Sequence, residues 1–102
     1  MKTKTRTSKV TLTHDEERLM MMMKALGNPV RLQIVRYLKQ NPMCITKDIV
    51  AYSPMAQATV SQHLEVLREA GIICGTIEGP AMSYCLDEGN MAWLKAHMDK
   101  LL

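Results

Sequence analysis

The chain has 102 residues, which is room for one compact domain and too little for a two-lobed enzyme. Hydrophobic residues make up 47%, charged residues 23%, and the formal net charge is +3, a balance typical of a folded domain and too apolar for a disordered chain. Three cysteines, an odd number, argue against a disulfide framework. No apolar run reaches the roughly 18 residues of a membrane span, and the first residues lack the apolar core of a signal peptide. We therefore expect a cytoplasmic protein without membrane contact.

The positive charge is concentrated at the start of the chain. Lys2, Lys4, Arg6 and Lys9 lie there without an acidic residue, and residues 14–102 carry nine basic against ten acidic groups. Because this stretch is rich in Thr, Ser and Lys and has no hydrophobic period, residues 1–13 are predicted to be a disordered basic arm. Such an arm either keeps the protein in solution or contacts nucleic-acid phosphates.

Two helices are predicted in the first half of the chain. Thr13 and Glu16 have the spacing of a capping box, and apolar residues follow at helical intervals, which predicts a helix over 14–25. Asn28 is a favourable cap residue and Pro29 suits the first position of a helix, so a second helix is predicted to begin there.

The middle of the chain predicts a helix-turn-helix. A short extended piece over 43–45 leads to a short helix over 46–52, and Ser53-Pro54 is a turn signal. Residues 56–70 predict the next helix, with apolar residues on one face and small polar residues on the other. Two helices joined by a tight turn in this way are typical of motifs that fill the major groove of DNA.

The last third of the chain predicts a hairpin and a helix. Two β-compatible runs over 72–77 and 82–86 are separated by Glu78-Gly79-Pro80-Ala81, and a last helix begins beyond Asp87. The order helix, helix, short strand, helix, helix, strand, strand, helix predicts a mainly α fold with a small β-hairpin, the winged helix-turn-helix. Residues 14–102 are therefore predicted to be one DNA-binding and dimerisation domain.

The polar side chains of the helix over 56–70 are candidates for contacting DNA. Their donors and acceptors can approach base edges, and Gln can pair bidentately with adenine, although the same residues also fit a solvated helix face. His63 is expected to pack or to contact phosphate rather than bind a metal, and Arg68 to contact phosphate or form a surface ion pair. The candidate DNA-binding residues are Gln57, Ala58, Thr59, Ser61, Gln62, His63 and Arg68.

Two stretches of the sequence, ALGNPVRL over 25–32 and ATVSQHLEVLREAGII over 58–73, resemble the ArsR/SmtB family of bacterial transcriptional repressors. The resemblance extends from about residue 20 to residue 95. It implies a homodimeric winged-helix repressor that leaves its operator when a metal, metalloid or oxidant reaches a sensor site. Ala56 stands where the family usually has a capping serine, which predicts a lost contact worth about 1 kcal/mol unless Ser53-Pro54 begins the helix instead.

The resemblance also implies that two sensor sites of the family are absent. The cysteines of the family's thiolate motif would fall at Ile45 and Lys47, and the histidine of its zinc site on the last helix would fall at Gly89. Asp87 matches only the first ligand of that zinc site, so zinc is not expected at either place.

The three cysteines suggest a site of their own. If the hairpin closes symmetrically, Cys74 faces Cys85, and pairing of the strand over 43–45 with the second hairpin strand would set Cys44 beside them on the same face. Three such thiolates suit a soft ion such as trivalent arsenic or antimony, or copper(I). The alternatives are three unrelated cysteines that act as small hydrophobic residues, and a redox pair in which Cys74 and Cys85 form a reversible disulfide.

Apolar side chains at both ends of the chain exceed what one small core can bury. They lie on the predicted first and last helices and are assigned to a homodimer interface: Leu19, Met20, Met23, Met91, Leu94, Met98 and Leu101. A two-fold dimer would present two reading helices about 34 to 36 Å apart, which predicts a pseudo-palindromic operator in double-stranded DNA.

Two other classes of protein remain to be distinguished from a DNA-binding repressor. An enzyme is not expected, because the sequence has no Ser-His-Asp order, glycine-rich phosphate loop or paired-carboxylate motif, and no cofactor is required. A winged helix that binds only other proteins has the same fold. Salt-dependent binding to DNA would distinguish the repressor from the winged helix that binds only proteins, because only the DNA-binding protein releases counterions from DNA.

Overall fold

A computed structural model describes residues 2–3, 10–41, 44–45, 49, 56–78 and 81–102. These residues form, in chain order, β1 (Lys2–Thr3), β2 (Leu12–Thr13), α1 (His14–Leu26), α2 (Pro29–Gln40), β3 (Cys44–Ile45), α3 (Gln57–Glu69), β4 (Ile73–Glu78), β5 (Ala81–Leu86) and α4 (Glu88–Leu101). The mainly α winged helix-turn-helix is thereby confirmed. The short helix predicted over 46–52 lies outside the described residues except for Ile49, which is helical and buried. None of the helices in the described ranges is long and apolar enough to cross a bilayer.

Side-chain caps fix the beginnings of α1 and α2, as predicted. The N–H of Glu16 donates to Oγ1 of Thr13 at 3.1 Å, and the N–H of Thr13 donates to the Glu16 carboxylate at 2.9 Å, which completes a capping box. At α2, Oδ1 of Asn28 accepts from the N–H of Val30 at 2.9 Å, and Pro29 occupies the first turn. Local sequence alone therefore determines where both helices start.

The core is built from one face of each helix and from the start of the hairpin. Its buried residues are Leu19, Met22, Ala25, Ile34, Leu38, Ile49, Val60, Leu64, Leu67, Ile72, Ile73 and Leu94. Full burial of each Leu or Ile stabilises the fold by about 1.5 to 3 kcal/mol. Leu19 and Leu94 were assigned to a dimer interface, and that assignment is wrong for both because they are buried inside their own chain.

A three-stranded antiparallel sheet has the order β3-β5-β4. The hairpin β4–β5, hereafter the wing (Ile73–Leu86), closes in the predicted register, with Cys74 directly opposite Cys85. β3 pairs with β5 as predicted, but Cys44 is opposite Tyr84. Because opposite residues share a face and successive residues alternate, position 44 lies on the face of Tyr84, and the prediction that all three cysteines share one face is wrong.

Part of the predicted basic arm forms regular structure. Lys2 pairs with Thr13 and Thr3 with Leu12 in a short antiparallel ladder, where the sequence predicted disorder. The ladder joins the chain start to the cap of α1. Residues 4–9 lie outside the described residues, so a phosphate-contacting role for the arm stays a prediction.

Candidate nucleic-acid interface and thiol pair

The polar face of α3 is open. Val60, Leu64 and Leu67 point into the core. On the other side, the exposed candidates for contacting DNA are Gln57, Ala58, Ser61 and Gln62, while Thr59 is half-buried. The described residues therefore cover only one side of this helix, as a helix that enters a groove requires.

Within the described residues, α3 begins without a side-chain cap. Ala56 is its N-cap residue and no described side chain accepts a hydrogen bond from the first turn, although the N–H of Val60 donates to the Ala56 carbonyl at 3.0 Å. This is the missing contact expected from alanine at that position. The alternative start at Ser53-Pro54 is wrong, since the helix begins at Gln57.

His63 joins α3 to α2. The guanidinium of Arg31 donates to Nδ1 of His63 at 3.2 Å, and Nε of Arg31 donates to the Ala25 carbonyl at 2.6 Å. Burial, and after it the Arg31 charge, lowers the pKa of His63, so the imidazole is neutral at pH 7 and free to accept. His63 thus packs and positions α3, one of the two roles that the sequence predicted for it.

Arg68 forms an ion pair near the end of α3. Its Nε donates to Oε1 of Glu65 at 3.2 Å, and a terminal nitrogen donates to the second carboxylate oxygen. The hydrogen bond from Arg68 lowers the pKa of Glu65. Exposed pairs of this kind contribute little to stability, so Arg68 can exchange its partner for a phosphate at small cost.

Cys74 and Cys85 form a thiol pair on the wing. Their Sγ atoms are 3.0 Å apart, and Sγ of Cys74 also lies 3.7 Å from the Cys85 carbonyl oxygen. Both are free cysteines; Cys74 is exposed and Cys85 is half-buried. The hydrogen bond to Cys85, followed by burial, raises the pKa of Cys74 to about 11, so Cys74 keeps its proton at neutral pH.

A third ligand does not join this pair within the part of the chain that the structure describes. No group of three or more His, Cys, Asp or Glu side chains converges there as a metal site. The Cys44 side chain is not among those described, and its backbone lies opposite Tyr84. The described residues therefore assemble a site of two thiols rather than the predicted three.

Comparison with known proteins places this architecture in a family. The model of a family described as bacterial regulatory protein, arsR family, matches residues 28–74, from the cap of α2 to the first cysteine of the wing. The chain is also 34% identical over 79 residues to the uncharacterized HTH-type transcriptional regulator MJ1325 of Methanocaldococcus jannaschii, covering 76% of this chain and 88% of that protein. The chain belongs to the ArsR family of transcriptional regulators.

A second relative is the HTH-type transcriptional repressor SmtB of Mycobacterium tuberculosis. It is 34% identical over 71 residues, which cover 70% of this ArsR-family chain and 52% of the mycobacterial protein. The chain thus spans about half the length of that relative.

Two solved structures share the fold. The crystal structure of a "possible transcriptional regulator for arsenical resistance" has a TM-score of 0.71 at 29% identity and covers 78% of this chain and 82% of its own. The solution structure of the homodimeric winged helix-turn-helix DNA-binding domain of Mb0332 from Mycobacterium bovis has a TM-score of 0.71 at 27% identity, covering 84% and 79%.

In this ArsR-family chain, Asp87 has a structural role. Its Oδ1 accepts from the N–H of Asn90 at 2.9 Å and caps α4. The residue that matches the first zinc ligand of the family is therefore used to begin a helix. Gly89 lies at the place of the expected histidine; it is exposed and has no side chain that could bind a metal.

A chain of contacts links the end of α3 to α1 and α4. The amide of Asn90 donates to the Gly71 carbonyl at 2.9 Å and accepts from the Arg18 guanidinium at 2.8 Å. Arg18 lies 3.9 Å over the Trp93 ring, which stacks on His97 with centroids 3.8 Å apart. Sequence reasoning missed this linkage, and the only signal available was the four-residue spacing of Trp93 and His97 on one helix.

The remaining candidate interface residues lie on the surface to different degrees. Leu101 is 62% exposed and Met23 is 37% exposed, whereas Met20, Met91 and Met98 are half-buried. Met21 and Leu102 add further exposed apolar area. Exposed apolar side chains thus lie on α1 and at the end of α4, and also at Val10, Leu32 and Val66.

Proposed function

We propose that this chain is a sequence-specific, homodimeric transcriptional repressor that binds a pseudo-palindromic operator in double-stranded DNA. The observation that carries the proposal is the open polar face of α3, whose apolar side is fixed in the core. The homodimeric DNA-binding domain of Mb0332 from Mycobacterium bovis, at 27% identity, supports the proposal that this chain also binds DNA and forms a dimer.

Each candidate DNA-binding residue of α3 has a role in this proposal. Gln57, Ser61 and Gln62 hydrogen-bond to base edges, and Gln62 is the candidate for a bidentate pair with adenine. Ala58 has a side chain small enough for close approach to a thymine methyl group, and Thr59 borders the same face. The role of His63 and Arg68 is to hold the helix and to contact phosphates, which sets the register of the protein on the duplex.

Release from the operator is proposed to follow reaction of a thiol-directed effector with Cys74 and Cys85. A trivalent arsenic or antimony ion, or another soft metal ion, has the affinity for thiolates that such a site offers. The described residues supply two thiols, so a trigonal ion would take its third ligand from elsewhere.

Competition gel shifts with duplexes from upstream of the gene for this protein test the DNA-binding proposal. We expect the reduced protein to prefer one pseudo-palindromic duplex and to lose affinity steeply as salt rises. The substitution Gln62→Ala should weaken binding about 5- to 150-fold, because a bidentate base contact contributes about 1 to 3 kcal/mol.

The matched control is Gln40→Ala, which removes an exposed glutamine from the end of α2 and should leave operator affinity unchanged. A protein with no preference among duplexes, or one whose binding ignores salt, would be an adaptor for other proteins, and the proposal would be wrong.

A further inference from the structure

The two cysteines of the wing are placed for covalent closure. They are directly opposite in the β4–β5 register, and their Sγ atoms are 3.0 Å apart. A disulfide needs a separation of about 2.05 Å, so the two sulfur atoms have about 1 Å to travel. Rotation of two side chains on neighbouring strands supplies a movement of this size.

The backbone around the pair also fits a disulfide. The N–H of Asp87 donates to the Ile72 carbonyl at 2.9 Å, so these two residues are a hydrogen-bonded pair at the base of the wing. Hydrogen-bonded pairs recur at every second position of an antiparallel ladder, which makes Cys74 and Cys85 the next one, with Cα atoms about 5.5 Å apart. Disulfides bridge Cα separations of about 4.4 to 6.8 Å, so the strands need not move apart or together.

The two thiols have different roles in such a reaction. The hydrogen bond to Cys85, followed by burial, raises the pKa of Cys74 to about 11, so Cys74 keeps its proton at neutral pH. The first attack is therefore assigned to Cys85, and Cys74 is the sulfur that attacks second.

We propose that Cys74 and Cys85 are a redox pair that a peroxide closes into a disulfide across the wing, and that this closure weakens operator binding. The second half rests on the proposed DNA-binding function. Oxidation to a disulfide needs only the two thiols that the structure brings together, whereas a trigonal site for a soft ion needs a third ligand.

The reaction with hydrogen peroxide balances in two steps. The Cys85 thiolate attacks one peroxide oxygen, the O–O bond breaks, and Cys85 sulfenic acid forms while the hydroxide released takes up the proton that Cys85 had lost. The Cys74 sulfur then attacks the Cys85 sulfur, the S–S bond forms, the S–O bond breaks, and the leaving hydroxide departs as water with the Cys74 proton. Two thiols lose two electrons and two protons, and one peroxide becomes two waters.

The wing is coupled to the DNA-contacting helix through a short connection. Only three residues, 70–72, separate α3 from β4, and the N–H of Ile72 donates to the Leu67 carbonyl of α3 at 2.9 Å. Cys74 and Cys85 are the second residue pair of the wing, directly after the pair Ile73 and Leu86 at its base. We expect a disulfide at this position to restrain the twist of the wing where it joins α3, and couplings between sites in regulators are typically about 5- to 150-fold in affinity.

Thiol counting and mass spectrometry on the full chain test the redox pair without any DNA. Peroxide should lower the number of free thiols from three to one and lower the mass of the protein by two hydrogen atoms. It should form no disulfide between molecules, and a small dithiol should restore all three thiols. Cys44→Ser should still close, whereas Cys74→Ser and Cys85→Ser should not. A bridge that includes Cys44, or sulfinic acid in place of a bridge, would overturn the proposal.

Operator binding by the Cys44→Ser variant, reduced and oxidised, tests the regulatory half. We expect oxidation to weaken binding at least fivefold and Cys74→Ser to abolish that response. A disulfide that forms with no change in affinity would refute the regulatory half alone.

Sodium arsenite serves as the soft-ion probe, and release by arsenite but not by peroxide would overturn the redox proposal. A reduced protein that binds no duplex would refute the proposed function, while the thiol count would still decide the redox pair.

Discussion

Gly71 shows how a single residue connects the DNA-contacting helix to the wing. Its φ of +81° is in the left-handed region, where a side chain is strained, and a Cβ there would lie 3.0 Å from Nδ2 of Asn90. Gly71 follows Ala70, the C-cap of α3, at the position where a helix commonly ends with a glycine in this conformation. The same residue offers its carbonyl to Asn90, so backbone conformation and tertiary contact depend on one position.

Gly71→Ala should therefore destabilise the protein by about 1 to 2 kcal/mol, the usual cost of a left-handed conformation for an L-residue. The free energy of unfolding in urea, measured by circular dichroism, gives the value. Gly89→Ala is the matched control, because its Cβ would lie 3.6 Å from Asp87 Oδ1, an ordinary van der Waals contact, and alanine favours a helix. Equal stability of the two variants would contradict this account.

At the scale of elements, local signals predicted the structure well and non-local ones did not. The caps at Thr13 and Asn28 and the hairpin register follow from residues close together in sequence. β3 has only two residues and pairs with a strand about 40 positions away, so nothing local fixed its register. The contact between Arg18 and Asn90 spans 72 positions and depends on how helices pack, which a single sequence does not show.

That contact joins α1 to α4, and a double-mutant cycle measures it. We expect Arg18→Ala and Asn90→Ala to be coupled by about 0.5 to 3 kcal/mol in the free energy of unfolding, because each removes the other's hydrogen bond. Arg36→Ala, at an exposed position of α2, should combine additively with Asn90→Ala. Additivity of the Arg18 pair would mean that the hydrogen bond contributes nothing.

For the whole molecule, exposed apolar side chains on α1 and at the end of α4 point to an interface. Leu101 and Leu102 are 62% and 92% exposed, and Met21 and Met23 are exposed on α1. Exposed apolar area is typical of interaction sites. A second copy of the chain fits the pseudo-palindromic operator proposed above, because a two-fold axis would then relate the two α3 helices.

Leu101→Glu should weaken self-association more than tenfold, because a charge in an apolar interface loses its water without gaining a partner. Sedimentation velocity over a range of protein concentrations measures the effect. Leu32→Glu introduces the same charge at another exposed apolar position, on α2, and should leave the dimer intact. A dimer that only Leu32→Glu dissociates would show that the interface lies elsewhere, and a wild-type protein that sediments as a monomer would contradict the dimer itself.

Trp93 is the one tryptophan of the chain; the Arg18 guanidinium of α1 lies 3.9 Å from its ring centroid, and the His97 ring of the same helix, α4, stacks on it. A shift of α1 against α4 would move the Arg18 cation relative to the indole. The protein thus carries its own optical probe: intrinsic emission reports rearrangement at this junction with no dye attached, and stopped-flow recordings can time it against release of the operator.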